Sequence, residues 1–304
     1  MSQGVRFVTI NEDNDGQRLD NFLMSQLKGV PKSLVYRIIR KGEVRVNKKR
    51  CKQTDRLAID DVVRIPPVRV SEPSAAAPAS EQLKQTLQAR ILYEDDVMIA
   101  VNKPHGLAVH GGSGVKLGLI EALRQLYPQQ KFLELVHRLD RDTSGVILVA
   151  KKRSALKHLH DQLRGKTMRK IYHCVVLGRW PDGKSAVDAP LERYQRGEER
   201  LVRVSRAGKP SVTGYKVLKR GKGWTLMEAS PKTGRTHQIR VHCLYGGGVI
   251  AGDEKYCTPE ELAYSKSIGC DRLMLHAAQL TFQHPRTGKR LTLDAPKEGV
   301  MLNF

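Results

Sequence analysis

With 304 residues, 40% of them hydrophobic, the chain can bury one large core or two of unequal size, which excludes disorder as its default state. Its 53 Lys and Arg against 31 Asp and Glu give a formal net charge of +22, a field that favours a polyanion, although charge alone leaves a merely basic, soluble surface equally open. No apolar run reaches membrane-spanning length, the start of the chain carries no signal pattern, and the five scattered cysteines include no C-x-x-C pair, so a cytoplasmic protein with incidental thiols is expected.

In chain order, Leu19, Phe22, Leu23 and Leu27 recur at helical spacing. A second helix is predicted over residues 33–42, with Leu34, Val35, Ile38 and Ile39 facing its core. Its opposite face carries Arg37, Arg40 and Lys41, followed by the strand-like Val44-Arg45-Val46 and the turn Asn47-Lys48. Residues 31–56 hold ten basic side chains against two acidic ones, Glu43 and Asp55. A merely solvated face would mix signs, so Arg37, Arg40, Lys41, Arg45 and Lys48 are candidate nucleic-acid contacts. The Pro-, Ser- and Ala-rich stretch 66–88 reads as a linker between a domain of residues 1–65, with its core at 18–65, and a main domain of residues 89–304.

The main domain opens on the apolar strand Val97-Met-Ile-Ala-Val-Asn-Lys-Pro. Further strands are predicted at 145–150, 172–177, 224–229 and 291–293, and helices at 119–126, 154–163 and near 236–245. Because strands dominate and do not alternate with helices, the expected class is α+β rather than doubly wound.

The densest polar cluster is His137-Arg-Leu-Asp-Arg-Asp-Thr-Ser-Gly145, directly before the apolar run Val-Ile-Leu-Val-Ala. Spacing alone favours a turn whose side chains cap their own backbone over a catalytic loop. His110-Gly-Gly-Ser-Gly114 lacks the Lys-Ser or Lys-Thr of a phosphate-cradling loop, so a flexible turn is expected and no nucleotide cofactor. His137, His237, His242 and Cys243 match no common zinc spacing, and no metal is expected. Lys151, Lys152 and Arg153, with residues 200–206, either extend a phosphate-binding surface or form a solvated face.

The segments Arg18-Leu-Asp-Asn-Phe-Leu, Pro31-Lys-Ser and Arg40-Lys-Gly-Glu-Val-Arg-Val-Asn resemble the alpha-L RNA-binding domain found in a small-subunit ribosomal protein and in several RNA-modifying enzymes. That resemblance implies RNA rather than DNA. His137-Arg-Leu-Asp-x-x-Thr-Ser-Gly145 resembles the central motif of the large ribosomal-RNA branch of the pseudouridine synthases. Lys170-Ile-Tyr172, Gly234-Arg-Thr-His-Gln-Ile-Arg-Val-His242, Gly252-Asp253 with Tyr256, and Leu275-His-Ala277 follow in that family's order.

The resemblance implies a mainly antiparallel mixed sheet flanked by helices and a cofactor-free isomerase acting on uridines of large-subunit (23S) ribosomal RNA. It makes Asp140 the catalytic aspartate, Arg240 its cationic partner ahead of Arg235, and Tyr172 the platform for a flipped base and an aid to proton removal from C5. Arg138 is expected to probe the space that base leaves. The chemistry calls for such groups: a buried carboxylate stays ionised only beside a cation, and an extruded base needs an aromatic face in place of its lost stack. A monomer is expected. Two other readings stay open, an RNA-binding assembly factor with a vestigial pocket and a nucleosidase or nuclease.

Overall fold

The computed structural model describes residues 4–27, 29–68, 77–112, 115–197 and 199–304. By its internal contacts the chain divides into two compact units, Met1–Ala76 and Ala77–Phe304.

The smaller unit comprises β1 (Arg6–Thr9), α1 (Leu19–Gln26), α2 (Lys32–Arg40), β2 (Arg45–Val46) and β3 (Val62–Ile65), with an antiparallel sheet in the order β1-β3-β2. Leu19, Phe22 and Leu23 of α1 pack with Val35, Ile38 and Ile39 of α2 and with Val63 and Ile65. On α2 the buried positions recur at i, i+3 and i+4, which leaves Arg37 and Arg40 in solvent. Buried Asp20 accepts two hydrogen bonds from Arg18, at 3.1 and 2.8 Å, and one from the Asn21 amide at 2.9 Å. The turn after β2 needs a left-handed backbone at Asn47 and Lys48 (φ 49° and 66°). Asn47 tolerates it because its side chain donates to Asp61 and accepts the Val62 amide.

The larger unit runs α3 (Glu81–Ala89), β4 (Ile91–Glu94), β5 (Met98–Lys103), α4 (Leu119–Leu126), β6 (Glu134–Leu135), β7 (Ser144–Ala150), α5 (Arg153–Arg164), β8 (Arg169–Leu177), β9 (Ala186–Asp188), β10 (Leu191–Arg196), β11 (Glu199–Val204), β12 (Val212–Gly221), β13 (Trp224–Pro231), α6 (Gln238–Gly246), α7 (Pro259–Ser267), β14 (Leu275–Gln283) and β15 (Arg290–Asp294). A ten-stranded sheet follows the order β4-β5-β7-β14-β8-β13-β12-β9, with β15 added to β14 and β6 to β7. Its one parallel pair is β7 with β14, the rest being antiparallel; β10 and β11 form a separate hairpin. Every residue of β5 and β7 is buried, which is why residues 98–101 and 145–150 read as continuous apolar runs rather than alternating ones. One core packs α4 and α5 on β5 and β7, and a second packs α6 on β8 and β13.

The linker reading of 66–88 needs correction. Residues 81–89 form α3, whose N-terminus is capped by Ser80 Oγ accepting the Leu83 amide at 3.2 Å, and whose Leu87 is fully buried. Just before it, Gln125 exchanges hydrogen bonds with the backbone of Ala77 and Ala79, so this stretch packs within the larger unit. The middle of the proposed linker, residues 69–76, lies outside the described residues.

Candidate active site

The loop that carries Asp140 joins β6 to β7 and is held by backbone contacts. Gly145 has φ +110° and pairs in parallel register with Ala277; a Cβ there would sit 2.2 Å from the Ala277 carbonyl oxygen, so no other residue fits. Next to it, His276 Nε2 donates to the Ala295 carbonyl at 3.0 Å, which leaves Nδ1 to accept the Ser144 hydroxyl at 2.9 Å. Buried Lys103, at the end of β5, donates through Nζ to the carbonyls of Pro104, Leu107 and Arg141, at 2.9, 2.8 and 2.9 Å. Burial pushes this lysine down to about 7, while three carbonyl acceptors at once are satisfied by the ammonium form. His137 Nε2 accepts the Leu148 amide at 3.2 Å; burial pushes the ring down to about 4, so it stays neutral.

The expected turn forms in the backbone, where the Thr143 amide donates to the Asp140 carbonyl at 3.2 Å. The reading of its side chains as caps fails for the carboxylate. Asp140 Oδ2 lies 3.5 Å from Arg240 Nη1, and its side chain is 31% exposed. Arg240, on α6, is buried and makes a second, tighter pair: Nε and Nη2 donate to Asp253 Oδ2 and Oδ1 at 2.7 and 2.6 Å. Burial works against its charge, but the Asp253 hydrogen bonds, then the charges of Asp253 and Asp140, hold the guanidinium above its usual range. Arg235 is exposed, and among the described residues its side chain reaches only the Pro210 carbonyl, at 3.4 Å.

Tyr172, on β8, shares a cavity of about 470 Å³ with Asp140, and Arg138, Thr233, His237 and Arg240 also line it. Burial, and then the Asp140 charge, push the Tyr172 hydroxyl upward, so it is a neutral phenol. Arg138 is exposed on the wall of this cavity. A second groove of about 610 Å³ adjoins it through shared Lys170 and Arg235. Arg164, Lys166, Arg169 and Lys232 complete its cationic lining, and among the described residues no carboxylate lines it. Sequence reasoning did not anticipate this groove, because its two basic runs meet only through the pairing of β8 with β13.

Asp253 was also missed as a partner: it belongs to a quoted motif, but nothing in the spacing points it at Arg240. In the smaller unit Arg37, Arg40, Lys41 and Lys48 are exposed, whereas Arg45 is half-buried with Nε donating to the Gly42 carbonyl at 2.8 Å. Lys151 is spent on structure, its Nζ donating to Glu94 and to the Asp95 carbonyl at 2.9 and 2.7 Å. In β11, Arg203 pairs with Glu192 and stacks over Tyr194 at 5.1 Å. His242 bonds the Thr213 hydroxyl and the Ala189 carbonyl, and among the described residues no group of His, Cys, Asp or Glu is arranged to hold a metal ion. Ser113 and Gly114 of the glycine-rich turn lie outside the described residues. No helix among the described residues is long and apolar enough to cross a membrane.

Residues 97–245 match the family model for RNA pseudouridylate synthase, and residues 17–63 match the S4 domain. A protein of Pasteurella multocida named ribosomal large subunit pseudouridine synthase C is 53% identical over 99% of this chain and 93% of its own length. An Escherichia coli protein of the same name is 54% identical over 97% of this chain and 93% of its own. Among solved structures, human RNA pseudouridylate synthase domain containing 4 superposes with a TM-score of 0.61 at 27% identity, over 73% of this chain and 93% of that one. Identity sustained over almost the full length, with the Asp140 loop inside the matched region, means that the chain belongs to the RNA pseudouridylate synthase family and carries an S4 domain ahead of its catalytic unit.

Proposed function

We propose that this RNA pseudouridine synthase isomerises uridines of large-subunit ribosomal RNA, with Asp140 as the catalytic carboxylate, Arg240 as its ion-pair partner and Tyr172 as the face for the extruded base. The observation that carries the reading is Asp140 Oδ2 at 3.5 Å from Arg240 Nη1, inside a cavity that Tyr172 also lines. The reaction must break the bond from uracil N1 to ribose, turn the base and rejoin it through C5. A carboxylate serves either by attacking carbon or by taking a ribose proton, and both roles require its charged form. Arg240 is a permanently charged guanidinium facing that carboxylate.

A flipped uridine loses its neighbours in the stack, and an aromatic side chain restores part of that energy. As a neutral phenol, Tyr172 offers a ring face; it can relay the C5 proton only by giving up its own. Arg138, exposed on the cavity wall, is suited to the space the base vacates. The S4 unit, with Arg37, Arg40, Lys41, Arg45 and Lys48, adds contacts to backbone phosphates. The ribosomal substrate rests on the names of the relatives, implies the cytoplasm, and requires no second copy of the chain.

The test incubates large-subunit ribosomal RNA with the wild-type chain and with Asp140→Asn, then maps carbodiimide-reactive pseudouridine. Product is expected from the wild type and none from the variant. Product from both would sink the assignment of Asp140, product from neither would favour a binding factor, and released uracil or shortened RNA would point to cleavage.

A further inference from the structure

Asp140 has a second neighbour besides Arg240. His237 Nε2 lies 3.9 Å from Oδ2, the same oxygen that faces Arg240 Nη1, and among the described residues no hydrogen bond ends on Oδ1. The other ring nitrogen, Nδ1, lies 2.7 Å from the Tyr256 hydroxyl. That hydroxyl oxygen accepts the Val202 backbone N–H at 3.0 Å, an obligate donor. Its own proton is therefore free to point at Nδ1, and the neutral ring then carries its proton on Nε2, toward Asp140. The opposite tautomer would set the bare lone pair of Nε2 against a carboxylate oxygen. Burial, followed by the charges of Arg240 and Lys255, disfavours the doubly protonated ring, with Asp140 and Asp253 acting the other way.

The backbone gives no reason for an imidazole here. His237 is the residue before α6, with φ 52° and ψ 19°, a left-handed conformation in which glycine or asparagine is least strained, and its side chain makes no capping hydrogen bond. Strain kept at a functional site is accounted for by what the side chain does there. What the ring touches is Tyr256, edge to face with centroids 5.6 Å apart, and the Asp140 carboxylate.

We propose that His237 is a positioning residue for the isomerisation: pinned by Tyr256 as the Nε2–H tautomer, it holds Oδ2 of Asp140 toward Arg240 and so presents Oδ1 to the flipped nucleoside. This rests on Asp140 being the catalytic carboxylate. At 3.9 Å the two groups stand just outside hydrogen-bond reach, and the bond forms in the proposal when substrate is bound, as catalytic contacts often tighten in the complex. With Arg240 as its one remaining partner at 3.5 Å, the carboxylate would be free to rotate and exchange its oxygens.

The experiment follows single turnover of the full chain on a large-subunit ribosomal RNA fragment, together with nitrogen-15 NMR of the imidazoles. His237→Ala should slow turnover by roughly 10–100-fold, the scale of a small misplacement of a reacting group, with RNA affinity unchanged. His237→Gln, whose side-chain amide offers a donor near the position of Nε2, should recover most of the loss. Tyr256→Phe should mix the His237 tautomers and, added to His237→Ala, slow turnover no further. An Nδ1-protonated ring in the wild type overturns the proposal, and that measurement decides it even where the Ala variant does not fold. Equal turnover of His237→Ala and wild type overturns it too, as does a Gln variant as slow as Ala. With Asp140→Asn inactive, such results remove only the positioning role; an active Asp140→Asn removes the catalytic reading beneath it.

Discussion

Arg240 serves two carboxylates, and removing Asp253 should separate the two jobs. The Arg240 side chain is 5% exposed and that of Asp253 0%, with both oxygens of Asp253 receiving a guanidinium N–H. In Asp253→Ala the cation stays buried with one carboxylate contact, at 3.5 Å, besides the Tyr256 ring 5.1 Å away, and the Lys255 amide loses its acceptor on Oδ1. Deleting one partner of a buried pair costs about 3–5 kcal/mol, because the other charge is left uncompensated. In a domain of this size each kcal/mol moves the melting temperature by about 2–4 °C, so a fall of roughly 6–20 °C is expected. Asp140 is the contrast, since a partly exposed carboxylate in long contacts only is worth at most about 1 kcal/mol. Thermal melts by circular dichroism, run beside the turnover assay, should find Asp253→Ala early to unfold and slow, and Asp140→Asn inactive yet melting close to wild type. A melting temperature for Asp253→Ala within about 2 °C of wild type would refute the assignment of Asp253 as the structural half of the pair.

Replacing Arg37, Arg40 and Lys41 together by Gln should weaken RNA binding and flatten its salt dependence. Each lost phosphate contact removes about 0.7–0.9 from the slope of log affinity against log salt, so a titration at several salt concentrations with an unchanged slope would contradict their role. His137 predicts a pH effect. Its folded value is pushed down to about 4, below the roughly 6.5 of a free imidazole, so the unfolded chain binds the extra proton between the two. Its contribution to stability is complete above that upper value and is lost as pH falls toward the lower one. Melts across this window should decline less steeply for His137→Gln, which keeps an acceptor for the Leu148 amide but cannot titrate; equal declines would rule the ring out as their source.

Elements that satisfy one periodic rule throughout were legible in the sequence. α4 coincides with the predicted helix because Leu119, Ile120 and Leu123 fill one face, and residues 146–150 of β7 are an uninterrupted apolar run. α3 and α7 are harder to see, although both carry cap signals. Ser80 precedes a Leu83 and Leu87 pair but sits in Pro- and Ala-rich surroundings that outweigh it, and Thr258-Pro259-Glu260-Glu261 holds a full capping box on a helix with only one buried residue. At the site, residue chemistry alone leaves the Asp140 loop a turn; the likeness to a family named Asp140, Tyr172 and Arg240. Asp253 and the cationic groove stay hidden because both depend on residues apart in sequence meeting through the fold. Spacing cannot encode that a carboxylate on a turn reaches back thirteen positions to a helix.

The close approach of Gly145 to Ala277 has a wider meaning for how the loop is aimed. Two main chains touching without side chains between them form a fixed datum, insensitive to the size of the apolar residues packed on either face. Core residues around β7 can therefore be exchanged for others of similar volume while the acid group keeps its aim, and a methyl group added at this one seam would shift it.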